Sequence, residues 1–231
     1  MLECLSPRDP SFVEIAPTWP ADEDPELRAA VLRDMQVLPE FVSEAEEASL
    51  MAELEPYLKR MRYEFDHWDN AIQGYRETER AVWNAPNERV LQRVRDAAFR
   101  RADTPPLPHT HVLDLAPAGH IKPHVDATRG NVHFRDNFTL NALSCVQFCG
   151  ALIAGLSLGS CAVMRLQHAE HAHRALDALL ARRSLYIMRD VARYSFSHAV
   201  LGAEHSAWRG ERVPRRRRVA LICRSQPDKL T

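Results

Sequence analysis

The stretch HVLDLAPAGHIKPHVD, residues 111–126, decides the fold. HVLDL (111–115) and HIKPHV (120–125) are short and rich in apolar and β-branched residues, and Ala116-Pro117-Ala118-Gly119 separates them as a turn signal. The same grammar recurs downstream in FCGALIAGLSL (148–158), AVMRLQH (162–168), SLYIMR (184–189), RYSFSHAV (193–200) and RVALICR (218–224). Short strands at turn-separated intervals predict an all-β sandwich or barrel. Upstream the period changes. Ser43-Glu44-Ala45-Glu46 is a capping-box pattern, and Leu50, Leu54, Leu58 and Met61 follow at helical spacing, with Pro56 expected to kink or split the helix. A second helix is expected from Asn87 as N-cap, with Val90, Leu91, Val94 and Ala98 on one face, ended by DTPPLP (103–108). The fold class is therefore mainly β with N-terminal helices: a jelly roll in 110–226 braced by helices in 43–100.

Two segments stand apart. Residues 1–38 hold five prolines among acidic residues and read as a disordered tail with one short helix near Leu27–Leu32. Residues 128–146 (TRGNVHFRDNFTLNALSCV) read as an atypical insertion between two strands. Between the helices, 62–83 is aromatic-rich and irregular, and offers Tyr63, Phe65, Trp68, Tyr75 and Trp83 as candidates for a substrate edge or for packing.

Composition bounds the function. The chain has 231 residues, 45% hydrophobic and 26% charged, as a globular protein with a sizeable core has. A net charge of −1 argues against a protein that binds nucleic acid through bulk charge. That total conceals an asymmetry, because residues 1–55 carry 14 acidic and 3 basic residues, so the remainder is strongly basic. No apolar run is long enough to span a bilayer. The acid-rich N-terminus resembles neither a secretory signal nor a mitochondrial transit peptide, and taken alone it points to cytosol or nucleus.

The chemistry centres on His124-Val125-Asp126. In extended chain, residues two apart share a face, so an imidazole and a carboxylate project together. A second His from a distant strand completes a facial 2-His-1-carboxylate set, which suits non-haem Fe(II) and leaves coordination positions open. His-x-Asp alone is weak evidence, since composition gives roughly 0.7 occurrences by chance, and His67-Trp68-Asp69 is a second one. Context favours His124 and Asp126: they end a β segment, and His198 follows on a later strand. In RVALICR, Arg218, Ala220, Ile222 and Arg224 share a face, so two guanidinium groups flank a small apolar wall, an arrangement suited to a dicarboxylate. The run Arg215–Arg218 also admits a solvated basic turn or a nucleic-acid contact.

The order His-x-Asp, then His, then Arg-x5-Arg on a late strand resembles the AlkB family of Fe(II)/2-oxoglutarate-dependent dioxygenases. The wording of ELEPYLKRMRYEFDHWDNAIQGYRETE (53–79), HVLDLAPAGHIKPHVD (111–126), FCGALIAGLSL (148–158), SLYIMRDVARYSFSH (184–198) and RGERVPRRRRVALICRS (209–225) is similar to a mitochondrial branch of that family. The resemblance spans about 39–227, excluding 128–146. It implies a double-stranded β-helix with Fe(II) on His124, Asp126 and His198, and 2-oxoglutarate and O2 as cosubstrates. It further implies that Arg224 pairs with the distal carboxylate of 2-oxoglutarate, that Tyr186 hydrogen-bonds the same carboxylate, and that Arg218, Val219 and Ala220 line the pocket. The implied outcome is hydroxylation of a protein side chain, or demethylation of mitochondrial RNA, by a monomer in the mitochondrial matrix with ties to programmed necrosis and fatty-acid metabolism. The chain departs from the family at Leu113 and Leu115, where Asn and Tyr often contact 2-oxoglutarate. The rival class is a non-catalytic jelly-roll module that binds RNA or a protein through its basic face. A zinc protein built on Cys145, Cys149, His168, His171 and His173 is a third, poorer reading.

Overall fold

The computed structural model describes residues 12–65, 71–100, 102, 104–126 and 149–227. The N-terminal part runs β1 (Val13–Ile15), α1 (Pro25–Asp34), β2 (Met35–Leu38), α2 (Glu44–Leu58), β3 (Ile72–Arg80) and α3 (Ala85–Phe99). The remainder runs β4 (Thr110–His124), β5 (Leu152–Leu158), β6 (Ala162–His168), β7 (Ala175–Leu180), β8 (Leu185–Arg189), α4 (Asp190–Tyr194), β9 (Phe196–Val200), a small hairpin of β10 (Ala207–Trp208) and β11 (Glu211–Arg212), and β12 (Arg218–Arg224). Ten strands form one sheet in the order β1-β7-β6-β9-β4-β12-β5-β8-β2, with β3 added on β4. Every pairing is antiparallel. The outermost strands, β1 and β2, approach each other, so the sheet curls into a nearly closed jelly-roll barrel.

β4 makes this curl possible. Its first half lies along β12, with Leu115 opposite Arg218 and His111 opposite Ile222. Its last residues lie along β9, with Ile121 opposite Val200 and His124 opposite His198. The two segments read as HVLDL and HIKPHV are therefore one bent strand that passes from one side of the barrel to the other. The bend falls at Ala116–Gly119, and Gly119 is required there. A Cβ on it would stand 2.5 Å from the carbonyl oxygen of Gly74 on β3.

Strand alternation divides the core. Leu113, Leu115, Ile153, Tyr186, Ala220 and Ile222 face the barrel interior. Val112, Leu156, Leu158, Val219 and Leu221 face outward, under Leu50, Leu54 and Leu58 of α2 and Val90 and Leu91 of α3. This explains why LIAGLSL is apolar throughout: β5 is buried on both faces.

Several local expectations change. The Ser43–Glu46 capping box forms in both directions. Pro56 does not split α2; it lies in the last turn of a helix that ends at Leu58. α3 is capped by Asn84 rather than Asn87, with Pro86 in the first turn. Asn87 is buried instead, and its side-chain amide donates to the Ser49 carbonyl and to Glu53, tying α3 to α2. The irregular reading of 62–83 missed β3, whose polar, charged sequence hides its pairing with β4. β7 was likewise missed in ALDALL.

The largest correction concerns residues 1–38. From Phe12 onward this segment is folded: α1 packs beside α4, β1 pairs with β7, and β2 pairs with β8. Trp19, Val31 and Met35 are buried with the barrel core. Its acidic residues are complements of the basic barrel. Glu23 and Asp24 meet Arg174 at 2.7 and 2.9 Å, and Glu14 meets Arg209 at 3.4 Å. The bonds from His173 and Arg174 hold the Glu23 carboxyl below its usual range. The insertion 128–146, His67-Trp68-Asp69 and Cys145 lie outside the described residues.

If residues 12–38 belong to the core, Met35→Ala should destabilise the protein by about 2–5 kcal/mol, as buried methionine truncations do. Urea unfolding measures this; a change within about 0.5 kcal/mol, normal for a surface position, would return the segment to a tail.

Candidate active site

Antiparallel register brings the two histidines together. His124 ends β4 directly opposite His198 on β9, and their ring centroids lie 4.3 Å apart. Asp126, two residues beyond His124, turns its Oδ1 to within 3.2 Å of His124 Nε2 and 3.7 Å of His198 Nε2. One ligand atom from each of the three residues lies within 4.8 Å of the other two, and among the described residues this is the only such group. His168, His171 and His173 stack loosely in a surface turn, and the zinc reading finds no such group there.

Each ligand is held in the form that binds a metal. His124 Nδ1 bonds the Lys122 carbonyl at 2.9 Å, so it carries the proton and Nε2 presents a lone pair. Burial pushes His198 down to about 3, which keeps the imidazole neutral. Burial opposes the charge of Asp126, yet the neighbouring His124 and the guanidinium of Arg224 hold the carboxyl well below its usual range. Two neutral imidazoles and one carboxylate fit Fe(II).

Beside the triad lies a basic, otherwise apolar interior. Arg224 is half-buried, with Nε 3.5 Å from Asp126 Oδ2 and Nη1 2.9 Å from His111 Nδ1. Further along the same inward face, Arg218 is buried and donates from Nη2 to Ser157 Oγ at 2.9 Å. Its Nε has no hydrogen-bond partner among the described residues. Tyr186 on β8 is buried, and its hydroxyl is pushed above its usual range by burial, against the opposing pull of Arg218 and Arg224. Its ring lies flat across Gly155, whose missing side chain makes the room: a Cβ there would be 2.1 Å from Tyr186 Cε1. Leu113 and Leu115 do face inward, so their positions supply no side-chain hydrogen bond to a ligand.

One expectation changes. Val219 does not line the interior, because alternation turns its side chain outward onto the helices, whereas its neighbour Ala220 does face in. Arg224 and Arg218 both lie on the inward face of β12, Arg224 beside Asp126 and Arg218 beside Ser157. Sequence reading missed Arg193, His111 and Glu77. Arg193 is fully buried and bonds the Asp126 carbonyl at 2.8 Å and Cys149 Sγ at 3.1 Å. His111 and Glu77 join the site through Arg224, and only the β3–β4–β12 pairing reveals them.

Of the aromatic residues in 62–83, Tyr75 and Trp83 are buried packing residues, Tyr63 stacks under Arg76, and Phe65 alone of those described is largely exposed. The run Arg215–Arg218 is not a free basic patch. Arg215 bonds the carbonyls of Leu201 and Gly119, Arg217 pairs with Asp114 and Glu55, and Arg218 is inside the barrel.

A jelly-roll barrel with a facial His-Asp-His group at one end defines a non-haem iron oxygenase. Solved structures with the same fold include OsALKBH1 (TM-score 0.55, 16% identity, 83% of this chain and 98% of that one). A Pseudomonas putida prolyl-4-hydroxylase (TM-score 0.51, 14% identity) covers 87% of this chain and 98% of its own. No protein-family model matches the chain. Two relatives, from Mus musculus and Bos taurus, are each named "alpha-ketoglutarate-dependent dioxygenase alkB homolog 7, mitochondrial". The mouse protein is 49% identical over 85% of this chain and 81% of its own length, and the bovine protein 48% identical over 87% and 84%. The chain belongs to the AlkB family of 2-oxoglutarate-dependent dioxygenases. Membership implies Fe(II), 2-oxoglutarate and O2 as the groups it uses.

Gly155→Ala should cost about 1–3 kcal/mol of stability through overpacking. Urea unfolding of Gly155→Ala, Tyr186→Ala and the double variant tests the contact: the double variant should lose clearly less than the sum of the two. Additive losses would mean that the ring and the glycine do not meet.

Proposed function

We propose that His124, Asp126 and His198 hold the iron, and that Arg218 with Tyr186 binds the distal carboxylate of 2-oxoglutarate. The observation that carries the second assignment is the place of Arg218, a buried guanidinium on the inward face of β12 near Tyr186 with no carboxylate partner among the described residues. A buried cation is stable only when paired, and the dicarboxylate supplies the missing anion in a bidentate geometry that arginine favours. Tyr186 adds a hydroxyl donor, Ser157 steadies the guanidinium, and Ala220 and Ile222 wall the carbon chain. Arg224 attends the metal end of the cosubstrate through Asp126. Fe(II), when bound, supplies the O2 activation that links decarboxylation of 2-oxoglutarate, to succinate and CO2, with oxygenation of a C–H bond.

The substrate we infer is a protein side chain. Three of the four arginines in Arg215–Arg218 are engaged within the fold, which removes the most basic stretch from any RNA-binding face. Demethylation of mitochondrial RNA is the competing outcome. Residence in the mitochondrion follows the names of the two relatives. Any part in programmed necrosis or fatty-acid metabolism depends on that residence. No described helix is long and apolar enough to cross a membrane.

A product-resolved screen of peptides and methylated RNAs, with Fe(II), 2-oxoglutarate and O2, tests the reading. The wild-type chain should form succinate and an oxygenated peptide, and His198→Ala should form neither. A demethylated RNA would move the substrate to nucleic acid. No succinate from the wild-type chain, together with partner binding unchanged by His124→Ala, would make the protein a non-catalytic module. Arg218→Met should raise KM for 2-oxoglutarate at least ~30-fold, since losing one partner of a buried charge pair costs about 2–5 kcal/mol.

A further inference from the structure

We infer that Glu77 and His111 are positioning residues that orient the metal carboxylate through Arg224, an inference that rests on the triad being the metal site. The chain of contacts is continuous. Glu77 Oε2 on β3 lies 2.8 Å from His111 Nε2 on β4, and His111 Nδ1 lies 2.9 Å from Arg224 Nη1 on β12. Arg224 Nε lies 3.5 Å from Asp126 Oδ2 beyond the end of β4. Sheet order makes this possible because β4 is flanked by β3 on one edge and β12 on the other.

Donor chemistry fixes the direction. Arginine has only N–H donors, so His111 Nδ1 must accept from it. The imidazole proton then sits on Nε2, where it donates to the Glu77 carboxylate. Glu77 thereby selects the tautomer of His111 that can receive Arg224, and a half-buried guanidinium is held at a fixed orientation. The consequence appears at Asp126, whose two oxygens are divided between tasks. Oδ1 faces both histidine Nε2 atoms, at 3.2 and 3.7 Å, while Oδ2 faces Arg224. With Oδ2 engaged, the carboxylate offers one oxygen to the metal. Without His111 the guanidinium loses its second anchor, and its hold on Oδ2 loosens, leaving the Cys149 thiol at 4.0 Å as the other contact of that oxygen.

The test is binding of Mn(II), an oxygen-stable divalent probe for the same donor set, followed by calorimetry at a temperature below unfolding of every variant. Loss of an outer partner of a metal ligand typically weakens metal binding about 10–100-fold. His111→Ala should therefore weaken Mn(II) binding by ~10-fold or more, and Glu77→Ala in the same direction. Glu77→Gln keeps an acceptor oxygen for the Nε2 proton, so it should stay within about threefold of wild type, a rescue that a merely structural role would not give. If His111→Ala does not fold, the Glu77 pair carries the test, because Glu77 is partly exposed on β3. Wild-type affinity in both alanine variants, or equal loss in Glu77→Ala and Glu77→Gln, would overturn the inference. Failure of the wild-type chain to bind Mn(II) would instead overturn the metal assignment beneath it.

Discussion

Everything at the site depends on one cross-strand pair, His124 opposite His198 in the β4–β9 ladder. Register in a sheet has a period of two, so a slip of one residue would turn one imidazole to the opposite face and leave Asp126 without a second nitrogen. The pair exists because β4 leaves its alignment with β12, bends at Ala116–Gly119, and reaches β9 on the other side of the barrel. The backbone there is crowded by Gly74, which explains a glycine at each contact point. A strand that starts beside the arginine-bearing β12 and ends beside the histidine-bearing β9 joins the proposed dicarboxylate pocket to the proposed metal site in one element.

The second constraint is electrostatic. The near-zero net charge is a sum of opposed parts that meet in the fold. Acidic residues of the N-terminal segment and α2 contact basic residues of the barrel at Glu23–Arg174, Asp24–Arg174, Glu47–Arg182 and Glu55–Arg217. Most of these pairs are partly exposed, and each alone contributes little at physiological salt. Their role is better described as placement, since they seat the start of α1 and the length of α2 against the barrel. β2 pairs with β8, with Val37 opposite Tyr186, so a segment rich in proline and acid forms part of the wall behind the proposed cosubstrate pocket.

The strand grammar after His111 was legible in the sequence because those strands are short apolar and β-branched runs set between turn signals, and the spans of β6 and β12 coincide with AVMRLQH and RVALICR. β3 was not legible, since its outward residues are charged and their partners, such as Asp114 for Arg76, lie far away in sequence. The folding of residues 12–38 was hidden for a similar reason: their stability comes from contacts with distant strands rather than from propensity. His-x-Asp and the downstream His were readable as chemistry, and alternation along β12 selected Arg218, Ala220, Ile222 and Arg224 as one face. The depth of each arginine was not readable. Only the three-dimensional placement separates Arg224, beside Asp126 and His111, from Arg218, which bonds Ser157 deeper in the barrel. His111 looked like any strand histidine until the pairing of three strands placed it between a carboxylate and a guanidinium.

The central claim is that metal and dicarboxylate bind as one unit between the triad and Arg218. Anaerobic titration of 2-oxoglutarate into the Fe(II)-loaded wild-type chain, into the metal-free chain and into Fe(II)-loaded Arg218→Met tests it most directly. The account predicts one equivalent bound to the loaded wild-type chain, with binding much weakened by removal of either the metal or the guanidinium. Equal affinity in all three would contradict it.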